Sequence, residues 1–197
     1  MKYTLSDFDY HLPEELIAQK PAEPRDHSRL LVYDRSTGKI TDDHFYNIGD
    51  HLPAGTSLVV NNSRVEKCRL LFNSGKTEIF VVKAVDDRVV EAMVRPGKKF
   101  KQGKTVELSG GVSATTIGIA EDGVRTLKLS HPLDSPLLEP NRHTPFPPYI
   151  ERDESLADRY QTVYAKDEGS KAAPTAGLHF TDALLEKLSE RGIEKKE

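Results

Sequence analysis

From Val65 to Leu129 the apolar residues fall in short runs, and many of them are β-branched: Cys68–Phe72, Thr77–Val85, Val89–Val94, Thr105–Leu108, Val112–Ile119 and Val124–Leu129. Asn-Ser-Gly, Asp-Asp, Pro-Gly and Asp-Gly separate them, and Gly110-Gly111 reads as a hairpin turn. Evenly spaced strands with no helical periodicity between them predict a small antiparallel barrel or sandwich. The first sixty residues are mixed. Pro13 before Glu14-Glu15 suits the first turn of a short helix, where proline gives up no needed N–H and acids meet the positive end of the dipole. Arg29–Tyr33 reads as a strand. The turn set Asp34–Gly38 and a second strand through Ile40 make it a hairpin. Thr56–Asn61 predicts another strand, a buried one.

Half of the twelve prolines lie between Pro132 and Pro148. Proline fixes φ and extends its neighbours, so this stretch is a crossover and not a helix. A helix is expected around Asp158–Tyr164 and another from Thr181. In the second, Thr181 fits the N-cap, Leu184, Leu185 and Leu188 share one face, and Gly192 fits the position just past the end.

Length and composition narrow the classes. A chain of 197 residues fits one domain or two small ones, and at this size it buries roughly 70% of its unfolded surface even with 37% apolar and 30% charged residues. A single cysteine, Cys68, excludes a disulfide framework and a cysteine-rich zinc site. No apolar run approaches the roughly 20 residues of a membrane helix. The first residues carry acids where a signal peptide has an apolar core. These features predict a soluble, reduced, cytoplasmic protein with no membrane contact.

The net charge of −3 hides an uneven distribution. Asn62 to Lys104 holds eleven basic residues against five acids, so the rest of the chain carries net −9. The densest part holds Arg95, Lys98, Lys99, Lys101 and Lys104 within Pro- and Gly-punctuated sequence. Such a loop either lines ammonium groups against phosphates or is simply solvated. Arg25-Asp26-His27-Ser28-Arg29 is likewise either a surface ion pair or a guanidinium fork for a carboxylate or phosphate. Asn61-Asn62-Ser63-Arg64 follows an apolar strand, as ligand-facing residues do in α/β folds, but is also good turn chemistry. In Ala172–Thr181 small residues surround Pro174 and Gly177, and His179 stands just before a helix N-terminus. An imidazole there is either a proton-transfer group or a hydrogen-bonded structural residue. There is no GxGxxG, P-loop or HExxH.

Together these segments resemble the S-adenosylmethionine:tRNA ribosyltransferase-isomerases of the queuosine pathway. The matching stretches are Leu12-Pro13-Glu14-Glu15-Leu16-Ile17-Ala18-Gln19, Arg25-Asp26 with Ser28-Arg29-Leu30, and Val60-Asn61-Asn62-Ser63-Arg64-Val65. Pro145 with Pro147-Pro148-Tyr149-Ile150, Asp158-Arg159-Tyr160-Gln161-Thr162-Val163-Tyr164-Ala165 and Ala173-Pro174-Thr175-Ala176-Gly177-Leu178-His179-Phe180 complete the set, in the family's order. The resemblance implies an α/β domain made of residues 1–64 and 145–197, with an antiparallel β-barrel of residues 65–144 inserted. It implies transfer of the ribosyl part of S-adenosylmethionine, used as cosubstrate with no metal, onto a 7-aminomethyl-7-deazaguanine wobble base of tRNA. Adenine and methionine leave and epoxyqueuosine forms.

A proton beside a sulfonium needs a base, departing adenine gains from an acid, and a sulfonium favours aromatic faces. His179 is the candidate for the proton transfers and Tyr149, Tyr160 and Tyr164 for facing the cation. Arg25, Arg29, Arg64 and Arg159 are candidates for a carboxylate or phosphate. Asp26, Ser28, Asn62, Gln161, Pro174, Thr175, Ala176 and Gly177 complete the expected substrate site. Arg95, Lys98, Lys99, Lys101 and Lys104 are the expected tRNA contacts. Asn62 stands where the family pattern has aspartate, and Lys171 where it has valine. The family continues beyond the helix ending near Gly192, so this chain is expected to lack the family's C-terminal part. The alternatives to an enzyme are a tRNA-binding module without catalysis and a domain that keeps only the fold. A monomer or weak homodimer is expected.

Overall fold

The computed structural model describes residues 3–197. Its strands are β1 (Arg29–Tyr33), β2 (Ile40–His44), β3 (Ser57–Val59), β4 (Ser63–Val65), β5 (Arg69–Phe72), β6 (Thr77–Ala84) and β7 (Val89–Arg95). There follow β8 (Thr105–Glu107), β9 (Ser113–Ile119), β10 (Arg125–Leu129), β11 (Arg142–His143), β12 (Asp167–Ser170) and β13 (Glu194–Lys196). The α-helix among the described residues is α1 (Asp182–Glu190), and short 3₁₀ turns fill many connections. The fold is therefore mixed α/β. The chain divides into two compact units: residues 1–59, 146–152 and 179–196, and residues 60–145, 153–178 and 197. None of the helices among the described residues is long and apolar enough to cross a membrane.

The second unit is built on a seven-stranded sheet in the order β11-β5-β6-β7-β10-β9-β8. Every neighbouring pair is antiparallel. All six runs read from the sequence become strands, and along them alternate residues turn inward, fully buried in the longer strands and half-buried at Val106 of β8. Along β6, Thr77, Ile79 and Val81 turn inward, and along β7 Val90 and Ala92 do. Inward side chains of Leu70, Phe72, Ile79, Val90, Phe100, Val112, Leu127, Leu129 and Leu138 form one core. Gly110 and Gly111, at φ +78° and +74°, turn β8 back onto β9 as the sequence predicted. The order leaves β11 and β8 as the two outer strands of the sheet. In the same unit β12 runs parallel to β4.

The first unit holds the β1–β2 hairpin, with Arg29 opposite His44 and Tyr33 opposite Ile40, and α1. Thr181 caps α1 by accepting the Leu184 N–H at 3.1 Å. Beyond it the chain turns through Gly192 at φ +74°, and the Ile193 N–H returns to the Leu188 carbonyl at 3.0 Å. Leu184 and Leu188 are buried, as the spacing predicted.

Two expectations change. Thr56–Asn61 is not a buried strand: only Ser57–Val59 is extended, Val59 is 76% exposed, and the partner of β3 is the parallel β13 in a two-stranded sheet. A two-stranded ribbon has too few neighbours to cover an apolar strand. Around Asp158–Tyr164 there is a single 3₁₀ turn, Asp158–Tyr160. At Gln161 the backbone becomes extended, and its amide takes both backbone groups of Val65, accepting from N–H at 3.0 Å and donating to C=O at 2.9 Å. That long-range pairing replaces the second helical turn.

Candidate functional site

In the first unit the Arg25–His27 turn delivers Ser28 to the start of β1. The Ser28 hydroxyl donates to the Arg25 carbonyl at 2.8 Å, and His179 Nδ1 lies 2.8 Å from the same oxygen. One hydroxyl proton serves one acceptor. With that proton on the Arg25 carbonyl, the Ser28 oxygen is the acceptor and Nδ1–H of His179 the donor. Phe45, buried, sets its ring 5.1 Å from the imidazole and 4.9 Å from Phe180, the latter edge-on at 85°. Asp26 accepts from the Thr181 hydroxyl at 3.1 Å, so the helix cap also holds the arginine turn. Arg25, Asp26, Ser28 and His179 thus form one half-buried cluster.

Arg29 and Tyr149 stand apart from that cluster by their contacts. The Arg29 guanidinium lies 3.8 Å from Asp42 across the hairpin, in open solvent. Tyr149 is 60% exposed. Gln19 fixes its segment, donating to the Tyr149 carbonyl at 3.1 Å and accepting from the Glu151 N–H at 2.8 Å.

The second unit gathers the rest. Arg159 Nη1 reaches the Leu178 carbonyl at 3.5 Å, and Gln161 clamps Val65 as described. Gly177 is buried, and a Cβ there would strike the Tyr164 hydroxyl and sit 2.9 Å from Thr162 Cγ2. The close approach that the missing side chain permits is made by these two residues. Burial pushes the Tyr164 phenol above its ordinary value of 10.0. The Thr162 hydroxyl is buried without a hydrogen-bond partner. Pro174 accepts the Gly177 N–H at 2.8 Å through its carbonyl, closing a turn around Thr175 and Ala176. Tyr160 ends the turn that Asp158 and Arg159 begin.

Asn62 donates to Glu197 at 3.2 Å, and its carbonyl accepts the Lys166 N–H at 2.7 Å, at the start of the β4–β12 pairing. Arg64 is exposed on β4. Phe100, fully buried, pins the basic loop, and Lys98, Lys99, Lys101 and Lys104 around it are exposed. Arg95 is bound to Glu78 at 2.9 Å, and Glu78 also takes Arg69 at 3.0 Å, so Arg95 is a less available cation than the lysines.

Phe45 is a residue the sequence reading did not single out as part of the histidine's surroundings: it lies more than a hundred residues from His179, and no local spacing marks it. Thr181 was marked as the helix cap, but not its bond to Asp26. Among the described residues no group of three or more His, Cys, Asp and Glu is placed to hold a metal ion.

A protein named S-adenosylmethionine:tRNA ribosyltransferase-isomerase from Thermotoga petrophila is 46% identical over 193 residues, which is 96% of this chain and 57% of that protein. One of the same name from Finegoldia magna is 45% identical over 192 residues, covering 95% and 55%. A crystal structure of S-adenosylmethionine tRNA ribosyltransferase from Thermotoga maritima is 35% identical, with a TM-score of 0.39 over 96% of this chain and 56% of that one. The chain therefore spans a little over half the length of the curated relatives it matches. The family model described as Queuosine biosynthesis protein matches residues 5–197, nearly all of the sequence, and on that match the chain belongs to the queuosine biosynthesis protein family.

Proposed function

We propose that this chain carries part of the active site of a tRNA ribosyltransferase-isomerase. In that reading the ribosyl group of S-adenosylmethionine moves onto a 7-aminomethyl-7-deazaguanine at the tRNA wobble position, with release of adenine and methionine and formation of epoxyqueuosine. The observation that carries the reading is the Arg25–Ser28–His179 chain of hydrogen bonds. An imidazole oriented through Nδ1 by Ser28 suits a group that removes the acidic proton beside a sulfonium and later returns one to a leaving group. The Phe45 ring beside it limits solvent on one face. Arg25 and Arg159 offer forked donors for the cosubstrate carboxylate or a phosphate, and Tyr149, Tyr160 and Tyr164 offer rings for the sulfonium.

Lys98, Lys99, Lys101 and Lys104 supply exposed charge for tRNA phosphates. The seven-stranded sheet is proposed to be the inserted barrel of residues 65–144, which requires β8 and β11 to close it. A tRNA substrate places the work in the cytoplasm, and neither a metal nor a membrane is part of the scheme. A monomer or weak homodimer is proposed as its working form.

The test is adenine release, followed by chromatography, from the chain mixed with S-adenosylmethionine and tRNA carrying the 7-aminomethyl-7-deazaguanine base. Adenine that appears only with both substrates supports the reading. His179→Ala is then expected to lower the rate by roughly 10²–10⁴-fold, the range for a lost acid–base group, with the fold intact by circular dichroism. An unchanged rate removes His179 from the mechanism. Binding of tRNA with no adenine favours a recognition module instead.

A further inference from the structure

A cleft of about 250 Å³ lies in the sheet-bearing unit, and none of the residues that line it is among the site residues assigned above. Its wall is apolar: Cys68, Leu70 and Val81 are each less than 5% exposed. Its rim is cationic, with Lys67, Lys83, Arg142 and Lys171. One carboxylate faces them, Glu66, and Lys171 already holds it in an ion pair. The β4–β12 pairing fixes that arrangement, since the Glu66 N–H donates to the Ser170 carbonyl at 2.9 Å. Arg142 uses Nε on the Lys67 carbonyl at 3.4 Å and Nη1 toward the exposed Glu139 at 3.7 Å, two of its five donors. Among the described residues no ion pair engages Lys67 or Lys83. Uncompensated cations over a low-dielectric wall focus a positive field into the concavity.

We propose that this cleft binds a backbone phosphate of RNA. The proposal rests on the reading above that the substrate is tRNA and adds a contact separate from the Lys98–Lys104 loop. The volume is below the roughly 300–1,000 Å³ of sites that enclose a whole small ligand; it suits a phosphate with part of its sugar. Lys67 and Lys83 are exposed and line the cleft, and the half-buried Arg142 guanidinium, held by its Nε, is the fork offered to the phosphate oxygens. Lys83 and the Arg95–Glu78 pair stand toward opposite ends of β6, roughly 17 Å apart at about 3.3 Å per residue. At that distance the two contacts act independently.

The test is fluorescence anisotropy of a labelled tRNA anticodon stem-loop across about 50–200 mM salt. It compares the unaltered chain with K67Q/K83Q, K67R/K83R and K98Q/K101Q. For one lost phosphate, K67Q/K83Q is expected to weaken binding several-fold and to flatten the logarithmic salt slope by roughly 0.7–0.9. K67R/K83R retains the slope, and the K98Q/K101Q loss adds to that of K67Q/K83Q. Should K98Q/K101Q lose affinity while K67Q/K83Q keeps the unaltered affinity and slope, the cleft is not an RNA contact although RNA binding stands. If the unaltered chain shows no salt-dependent RNA binding, both the cleft proposal and the tRNA reading fall.

Discussion

In the sheet-bearing unit Ile79, Val90, Phe100, Val112, Leu127 and Leu138 have no exposed surface at all. The unit that carries His179 has a thinner interior, in which Phe45, Phe146, Phe180, Leu184, Leu188 and Ile193 are buried. It leaves Leu5, Phe8, Leu31, Tyr33, Ile40 and Val59 largely exposed. Polar ties do more there: Thr181 to Asp26, Ser28 to His179, and Arg191 to Asp50 at 2.7 Å. Close packing makes the sheet a rigid base whose surface can be recharged at little cost. Hydrogen-bonded turns on a small core let the other unit hold functional groups, each of which depends on one or two partners.

The largest expected effect tests this contrast. Leu127→Ala opens a cavity in the sheet core and is expected to cost about 2–5 kcal/mol in denaturant unfolding. Leu188→Ala should instead expose the amides of α1 to hydrogen exchange while those of β6, β7 and β10 stay protected. Equal loss of protection in both units after Leu188→Ala would mean that the two cores melt as one, and the contrast would fail.

Gly177 gives a narrower test within the sheet-bearing unit. Gly177→Ala drives a methyl into the Tyr164 hydroxyl and against Thr162, an overpacking expected to cost about 1–3 kcal/mol. Tyr164→Phe removes the struck oxygen, so the double variant should recover part of the loss in a thermodynamic cycle. Complete additivity would show that the tyrosine is not what the glycine accommodates.

The ease of reading the sequence follows the same division. Six of the seven sheet strands were legible, because a half-buried strand writes its period of two into consecutive residues and its turns into Gly, Asn and Asp; the two-residue β11 is too short to write one and lies in the proline-rich crossover. The α1 helix was legible from Thr181, its leucines and Gly192. Thr56–Asn61 misled, because an apolar run does not reveal how many neighbours will cover it. The turn at Asp158 stopped early, because Gln161 answers to Val65, a partner 96 residues away. The motifs marked Ser28 and His179 separately, but nothing local joins residues 151 positions apart. The cationic cleft was illegible for the same reason: Lys67, Lys83, Arg142 and Lys171 meet only after β4, β5, β6, β11 and β12 have paired.

The smallest effect examines the polar ties of the first unit one carboxylate at a time. Asp43, at the end of the hairpin, accepts from Asn47 Nδ2 at 2.8 Å and from the His44 N–H at 2.7 Å, and lies 2.7 Å from His51 Nε2. These bonds, Asn47's first, favour the ionised form and pull its pKa from the ordinary 3.8 down to about 2. Because the folded value is the lower one, the unfolded chain binds a proton first as the solution is acidified. The contribution of Asp43 to stability is therefore complete above 3.8 and is lost as the pH falls toward 2. Carbon-detected NMR titration of the Asp43 carboxyl should find a midpoint near 2, and Asn47→Ala should move it up toward the ordinary value. An ordinary midpoint in the unaltered chain would mean that these bonds do not persist in solution, and polar ties of this kind could then not be credited with holding the histidine-bearing unit.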